Sequence, residues 1–128
     1  MSLDFSFPKK NRLRGGKLMR LVFEKGTTIK DFPLLFYYMP LMFEKRGEFK
    51  TAFGVSKKTH KKAVIRNKVK RNIREAYRLN KPLFLGKKKQ SYAVIIVYLA
   101  QGLEPQELLS KKINAFFVRL ISSNNEIN

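Results

Sequence analysis

The stretch "SKKTHKKAVIRNKVKRNIREAYRLNK", Ser56 to Lys81, decides how this chain is read. From Lys57 to Lys81 the only acidic residue is Glu75. Like charge at this density opposes folding unless a polyanionic partner neutralises it. From Ala63 to Asn80 the apolar residues Ile65, Val69, Ile73, Ala76 and Tyr77 recur at helical spacing, which predicts a helix that Pro82 stops after Lys81. At about 100° per residue Ile65, Val69, Ile73 and Ala76 share one side, and Arg66, Asn67, Lys70, Arg71, Arg74 and Arg78 lie broadly on the other. A merely solvated helix surface mixes signs and gains from Glu–Lys pairs one turn apart. This face does not, so its charge is organised for a partner. Arg forks onto phosphate oxygens, Lys adds mobile charge, and the Asn amide both donates and accepts.

The elements around this helix follow from pattern. After a basic lead, "FPKKNRLRGG", Lys17 to Lys25 carries Leu18, Leu21 and Val22 on one helical face with Met19 and Phe23 one turn apart, and Gly26 closes this first helix. "FPLLFYYM", Phe32 to Met39, reads as a strand bounded by Pro33 and Pro40, with one aromatic face available. Met42 to Phe49 is the turn. Phe49 to Lys57 returns as a second strand, in which Gly54 marks a bulge or a close backbone approach. The nearly continuous apolar run from Ser91 to Ala100 predicts a central strand covered on both faces. Pro105 suits the start of a last helix whose inward stripe is Leu109, Ile113, Phe116, Phe117 and Leu120. No repeat, linker or second domain interrupts residues 1–128; the expected ordered core is about 8–121, with a flexible tail over 122–128.

Composition narrows the function. The chain has 128 residues, enough for one real core at 44% hydrophobic composition. Its 28 Lys and Arg against 9 Asp and Glu give a formal charge of +19, which favours nucleic acid over small acidic substrates and over an anionic membrane surface. The longest apolar run, Tyr92 to Ala100, is far short of the roughly 20 residues that span a bilayer. With no secretion signal apparent near Leu3, Phe5 and Phe7, a cytoplasmic protein is expected. There are no cysteines and His60 is the sole histidine, which leaves no Cys/His zinc site and makes thiol or Ser-His-Asp chemistry improbable. The nine carboxylates are scattered without a D-x-D pair. His60 itself has no carboxylate or nucleophile at a readable spacing, so no catalytic or metal-binding residue is assigned.

At this point the residues carry a resemblance. Arg66-Asn67, Lys70-Arg71 and Arg74-Glu75, preceded by a strand ending in Ser56, Lys57 and Lys58, resemble the R-N-x-x-K-R-x-x-R-[E/Q] signature of the bacterial ribonuclease P protein subunit. The first-helix pattern "RLRGGKLMRLVFEKG" and the element order extend the likeness over roughly Pro8 to Ile121, with Phe53 to Lys81 the most specific part. The resemblance implies an α+β fold: a two-layer α/β sandwich similar to the second domain of ribosomal protein S5, in the order helix-strand-strand-basic helix-strand-helix with a left-handed crossover.

It also implies a protein, monomeric when free, that binds the catalytic RNA of ribonuclease P and the 5′ leader of precursor tRNA. The RNA then cleaves the leader with Mg²⁺ held mainly by RNA. Lys57, Lys58, Lys61, Lys62, Arg66, Asn67, Lys70, Arg71 and Arg74 are the expected RNA contacts. The cleft between the first helix and the sheet is expected to take the leader, with Phe23, Phe36 and Tyr37 as its aromatic candidates. Strand alternation allows at most one of Phe36 and Tyr37 into it. Two departures stand out: many members have a Gly-Asn step where this chain has "THKK", Thr59 to Lys62, and Met19 replaces a frequent first-helix aromatic. Lys87 to Lys89 reads as a peripheral phosphate contact or solvated loop. The alternative from another class is a ribosomal or other structural RNA-binding protein without a role in cleavage. A DNA-binding module ranks below it, and a stand-alone nuclease last.

Overall fold

The computed structural model describes residues 3–6, 16–41, 49–57, 60–84 and 91–123. The basic lead from Phe7 to Gly15, the turn from Met42 to Glu48, Lys58 and Thr59, Lys87 to Lys89 and the tail beyond Ser123 lie outside them. The elements are β1 (Leu3–Ser6), α1 (Gly16–Lys25), β2 (Thr27–Asp31), β3 (Leu34–Leu41), β4 (Phe49–Ser56), α2 (Ala63–Phe84), β5 (Ser91–Tyr98) and α3 (Gln106–Ser123).

The strands form one mixed sheet in the order β1-β4-β5-β3-β2. β4 runs parallel to β5, from Phe49 opposite Tyr92 to Val55 opposite Tyr98; every other pairing is antiparallel. Parallel neighbours cannot be joined by a tight turn, so the chain must cross over, and α2 is that crossing. β5 is central, and all eight of its residues are buried, as its unbroken apolar run predicts. The ladders on both sides of β4 pass through Gly54 in register, so no bulge occurs there.

Alternation along each strand divides two cores. On one face Leu34, Phe36, Phe53, Val55, Tyr92, Val94, Ile96 and Tyr98 meet Val69, Ile73, Ala76 and Tyr77 of α2 and Leu109, Ile113, Phe116, Phe117 and Leu120 of α3. The expected inward stripes of both helices are therefore the buried ones, except that Ile65 is only partly buried against this cluster. Phe36 stacks on Phe116 with ring centroids 4.2 Å apart and planes 3° from parallel. Thr51 Oγ1 donates to the Tyr77 hydroxyl at 2.9 Å, and burial pushes that hydroxyl's pKa up to about 12. Between the helices the buried Asn80 amide donates to Ser110 Oγ at 2.7 Å and to the Ala76 carbonyl at 2.8 Å, and its oxygen accepts from Asn114 Nδ2 at 3.2 Å. Such a satisfied polar lock sets the register of one helix against the other.

On the reverse face the shorter α1 brings Val22 against Ala52, Ala93, Ile95, Val97 and Leu41, with Leu18, Met19, Phe23, Leu35, Tyr37, Met39 and Leu99 partly buried around them. The sheet and the α2–α3 pair thus form the sandwich, and α1 covers only part of its other side.

Three details differ from the sequence reading. β1 and β2 are additional edge strands. β1 is four residues long and exists through pairing with β4, while β2 contributes only Ile29 to the main core. α2 continues through Pro82 to Phe84. Proline in a last turn forfeits one hydrogen bond, toward the carbonyl of Arg78, with little helix left to disrupt. β3 begins at Leu34 and extends past Pro40 to Leu41, and β2 starts at Thr27 opposite Tyr38, so Pro40 has an edge position on that side.

Gly26 ends α1, donating its N–H to the Val22 carbonyl at 2.9 Å. A Cβ placed there would press on that same carbonyl oxygen and lie 2.8 Å from the carbonyl oxygen of Tyr38. Gly26→Ala should therefore cost about 1–3 kcal/mol by pushing α1 off the sheet. Thermal melting checks this; an unchanged midpoint would mean that α1 is not seated so closely.

Candidate RNA interface

The outer side of α2 is built by the same spacing that buries its inner side. With Val69, Ile73 and Ala76 in the core, Asn67, Lys68, Arg71 and Arg74 are exposed, and Arg66 and Lys70 stand at its margins, partly buried. The first turn of α2 contains no acidic residue. Further along, Arg78 Nε donates to Glu75 Oε2 at 3.0 Å, which holds the Glu75 carboxyl below its usual range and the Arg78 guanidinium above its own. The single acidic residue of the stretch thus engages Arg78, at the far end from the Arg66-Asn67 motif.

The segment entering α2 is fixed to its first turn. Arg66 Nη1 donates to the carbonyls of His60 and Lys61 at 2.8 and 2.7 Å. Lys57, Lys61 and Lys62 are exposed beside it. His60 is 4% exposed, its ring packed on that of Tyr98 at 5.7 Å, so it belongs to the interior and not to the cationic surface.

The second surface lies between α1 and the sheet. Phe23 and Tyr37 meet edge to face there, with centroids 4.8 Å apart, and both are partly exposed. Phe36 does not line this cleft. β3 alternation turns it to the opposite face, where it is fully buried on Phe116. Of the adjacent pair, Tyr37 is the cleft aromatic. Lys50 was not picked out from the sequence. It shares strand parity with Ala52 and pairs with Ala93, both on the α1 side, so it adds a cation to the cleft face. That parity was readable once Ala52 was known to face α1. Met19 lies in the same cluster as an aliphatic member.

Among the described residues no three His, Cys, Asp or Glu side chains converge to hold a metal ion. In the same residues no helix is long and apolar enough to cross a membrane. The arrangement offers cations, an amide and aromatic surfaces, groups whose chemistry suits a phosphate backbone and unstacked bases.

A family model described as Ribonuclease P matches residues 7–121. The chain is 34% identical over 119 residues to the ribonuclease P protein component of Alkaliphilus oremlandii, covering 92% of this chain and 94% of that protein. It is 38% identical over 94 residues to the component from Porphyromonas gingivalis, covering 71% and 68%. Among solved structures, the Staphylococcus aureus RNase P protein superposes with a TM-score of 0.67 at 21% identity, covering 88% of this chain and 95% of that one. The Thermotoga maritima RNase P protein gives 0.55 at 21% identity, covering 87% and 88%. The two structures share the fold, while the family match spans nearly the whole length. The chain with the basic α2 face and the Phe23–Tyr37 cleft belongs to the ribonuclease P protein family.

Proposed function

We propose that this chain, as the protein component of ribonuclease P with a part in tRNA 5′ maturation, acts by gripping the catalytic RNA with the outer face of α2 and the 5′ leader of precursor tRNA in the α1–sheet cleft. The observation that carries this reading is the division of α2. Its apolar edge is consumed by the core, and its cations stand on a rigid element with no acid in the first turn. Lys57, Lys61, Lys62, Asn67, Lys70, Arg71 and Arg74 form the RNA-facing set, and Lys58 extends it in sequence. A rigid cationic face releases counterions from RNA without paying to order itself.

The leader is single-stranded, so its bases are open to stacking. Tyr37 and Phe23 present aromatic surface in the cleft, and Lys50 supplies charge for the backbone. Among the described residues the carboxylates do not converge, which supports a division of labour in which the holoenzyme's Mg²⁺ is carried by RNA and hydrolysis is the RNA's chemistry. The free protein is a monomer of the cytoplasm in this reading.

Three outcomes test it. RNA-free protein should leave precursor tRNA uncut, yet its addition to the catalytic RNA should permit cleavage at lower Mg²⁺, because its cations replace part of the metal screening; efficient cleavage by protein alone would sink the assignment. Replacing Lys70, Arg71 and Arg74 together with Ala should leave the melting midpoint nearly unchanged and flatten the salt dependence of RNA affinity by about two units of slope. An unchanged slope would remove α2 from the interface.

Tyr37→Ala should weaken the holoenzyme's binding of precursor tRNA about fivefold or more, and that of mature tRNA far less, since a stacked base is worth about 1–3 kcal/mol. Phe36→Ala should instead cost about 3–5 kcal/mol of stability, as expected for a buried ring. Equal loss for both tRNAs in the Tyr37 variant would exclude it from the leader site.

A further inference from the structure

The connection from β4 to α2 is held at one point by three attachments. The His60 N–H donates to the Ser56 carbonyl at 3.0 Å. The carbonyls of His60 and Lys61 both accept from Arg66 Nη1. The His60 ring is packed against Tyr98, which is itself fixed: its hydroxyl donates to the Gly102 carbonyl and accepts the Glu104 N–H at 2.9 Å. Tyr98 ends the central strand, paired with Leu34 on one side and Val55 on the other, so the ring is seated on the sheet.

The attachment is unusual in what it omits. Neither ring nitrogen of His60 has a hydrogen-bond partner among the described residues. A buried donor left unpaired disfavours the fold, so the imidazole's nitrogens do not explain its placement. Its flat ring does, as a plug beside Tyr98. Arg66 is equally specific. Its planar guanidinium presents both hydrogens of one nitrogen to successive carbonyls, while its own N–H closes the first helical bond to Lys62 at 3.1 Å.

We propose that Arg66 and His60 are positioning residues for RNA binding: they hold the backbone of residues 60–62 so that Lys61 and Lys62 stand at fixed places beside Asn67 at the start of the basic face. Arg66 Nη1 serves the loop and not a phosphate. The inference rests on the RNA-facing reading of α2 and deepens it, because it separates residues that touch RNA from residues that shape what does. Without the clamp, the two lysines must be ordered at the moment of binding, a cost that appears as lost affinity.

A double-mutant cycle on the full chain, bound to its catalytic RNA, reads this directly. Arg66→Ala should weaken binding about tenfold, the cost of ordering about one residue's backbone. In the Lys61→Ala/Lys62→Ala background the same change should have almost no effect, because the groups it positions are gone. His60→Phe, which keeps the plug, should bind like the parent, and His60→Ala should fall with Arg66→Ala. Hydrogen exchange on the free protein gives a second reading without RNA: Arg66→Ala should speed exchange of the His60 amide while the β5 amides stay protected. Equal losses in both lysine backgrounds would show Arg66 meeting RNA by itself and overturn the proposal, as would unaltered exchange at His60. Unchanged affinity of the Lys61→Ala/Lys62→Ala protein would overturn it from the other side, by removing the RNA-facing reading beneath it even if exchange reveals the clamp.

Discussion

The parallel pairing of β4 with β5 is the constraint on which the rest depends. Two parallel neighbours oblige the chain to leave one end of the sheet and re-enter at the other, and here the way across is a helix packed on the sheet face. α2 meets that demand with Val69, Ile73, Ala76 and Tyr77, which lie on the core shared with Phe53, Val94 and Ile96. Once that edge is buried, helical geometry leaves the cations no inward position. The charge that would repel itself in a free peptide is therefore carried by an element the core holds in place, and α3 braces it through the Asn80–Ser110–Asn114 lock.

The same sheet supplies the second surface. β3 and β5 are apolar on both faces because helices sit on both, but α1 is ten residues long and covers one face incompletely. Incomplete cover leaves Tyr37 and Phe23 partly open, whereas Phe36, Phe53, Tyr92, Tyr98 and Phe117 are enclosed. One strand thus sends Phe36 to stability and Tyr37 to the cleft, and a register shift of a single residue would exchange them.

Much of this was legible in the residues and some was not, for physical reasons. Helical periodicity located α2 and the α3 stripe, and the unbroken run from Tyr92 identified the central strand, because burial on a regular element leaves a regular trace. β1 had no such trace: four residues beside β4 become a strand only through the partner they find. β2 carried the β-branched signal of Thr27, Thr28 and Ile29, yet a single apolar position made it too weak to read. Phe36 and Tyr37 could not be told apart because both faces of β3 are apolar, so alternation had no polar side to mark it. Arg66 sat correctly on the polar side of the wheel, but its bonds to His60 and Lys61 depend on the path of the preceding loop, which periodicity does not describe. Lys50 was hidden for the same reason as Tyr37: its face is known only when the helix opposite is known.

The central claim is that two surfaces on different sides of one sheet meet two different RNAs. Site-directed crosslinking in the assembled holoenzyme with precursor tRNA tests it most directly, with one photoreactive group at residue 71 on α2 and another at residue 37 in the cleft. The account predicts that the probe at 71 marks the catalytic RNA and that the probe at 37 marks the 5′ leader and loses its target when mature tRNA is substituted. Crosslinks from both positions to the same RNA, insensitive to the leader, would contradict it.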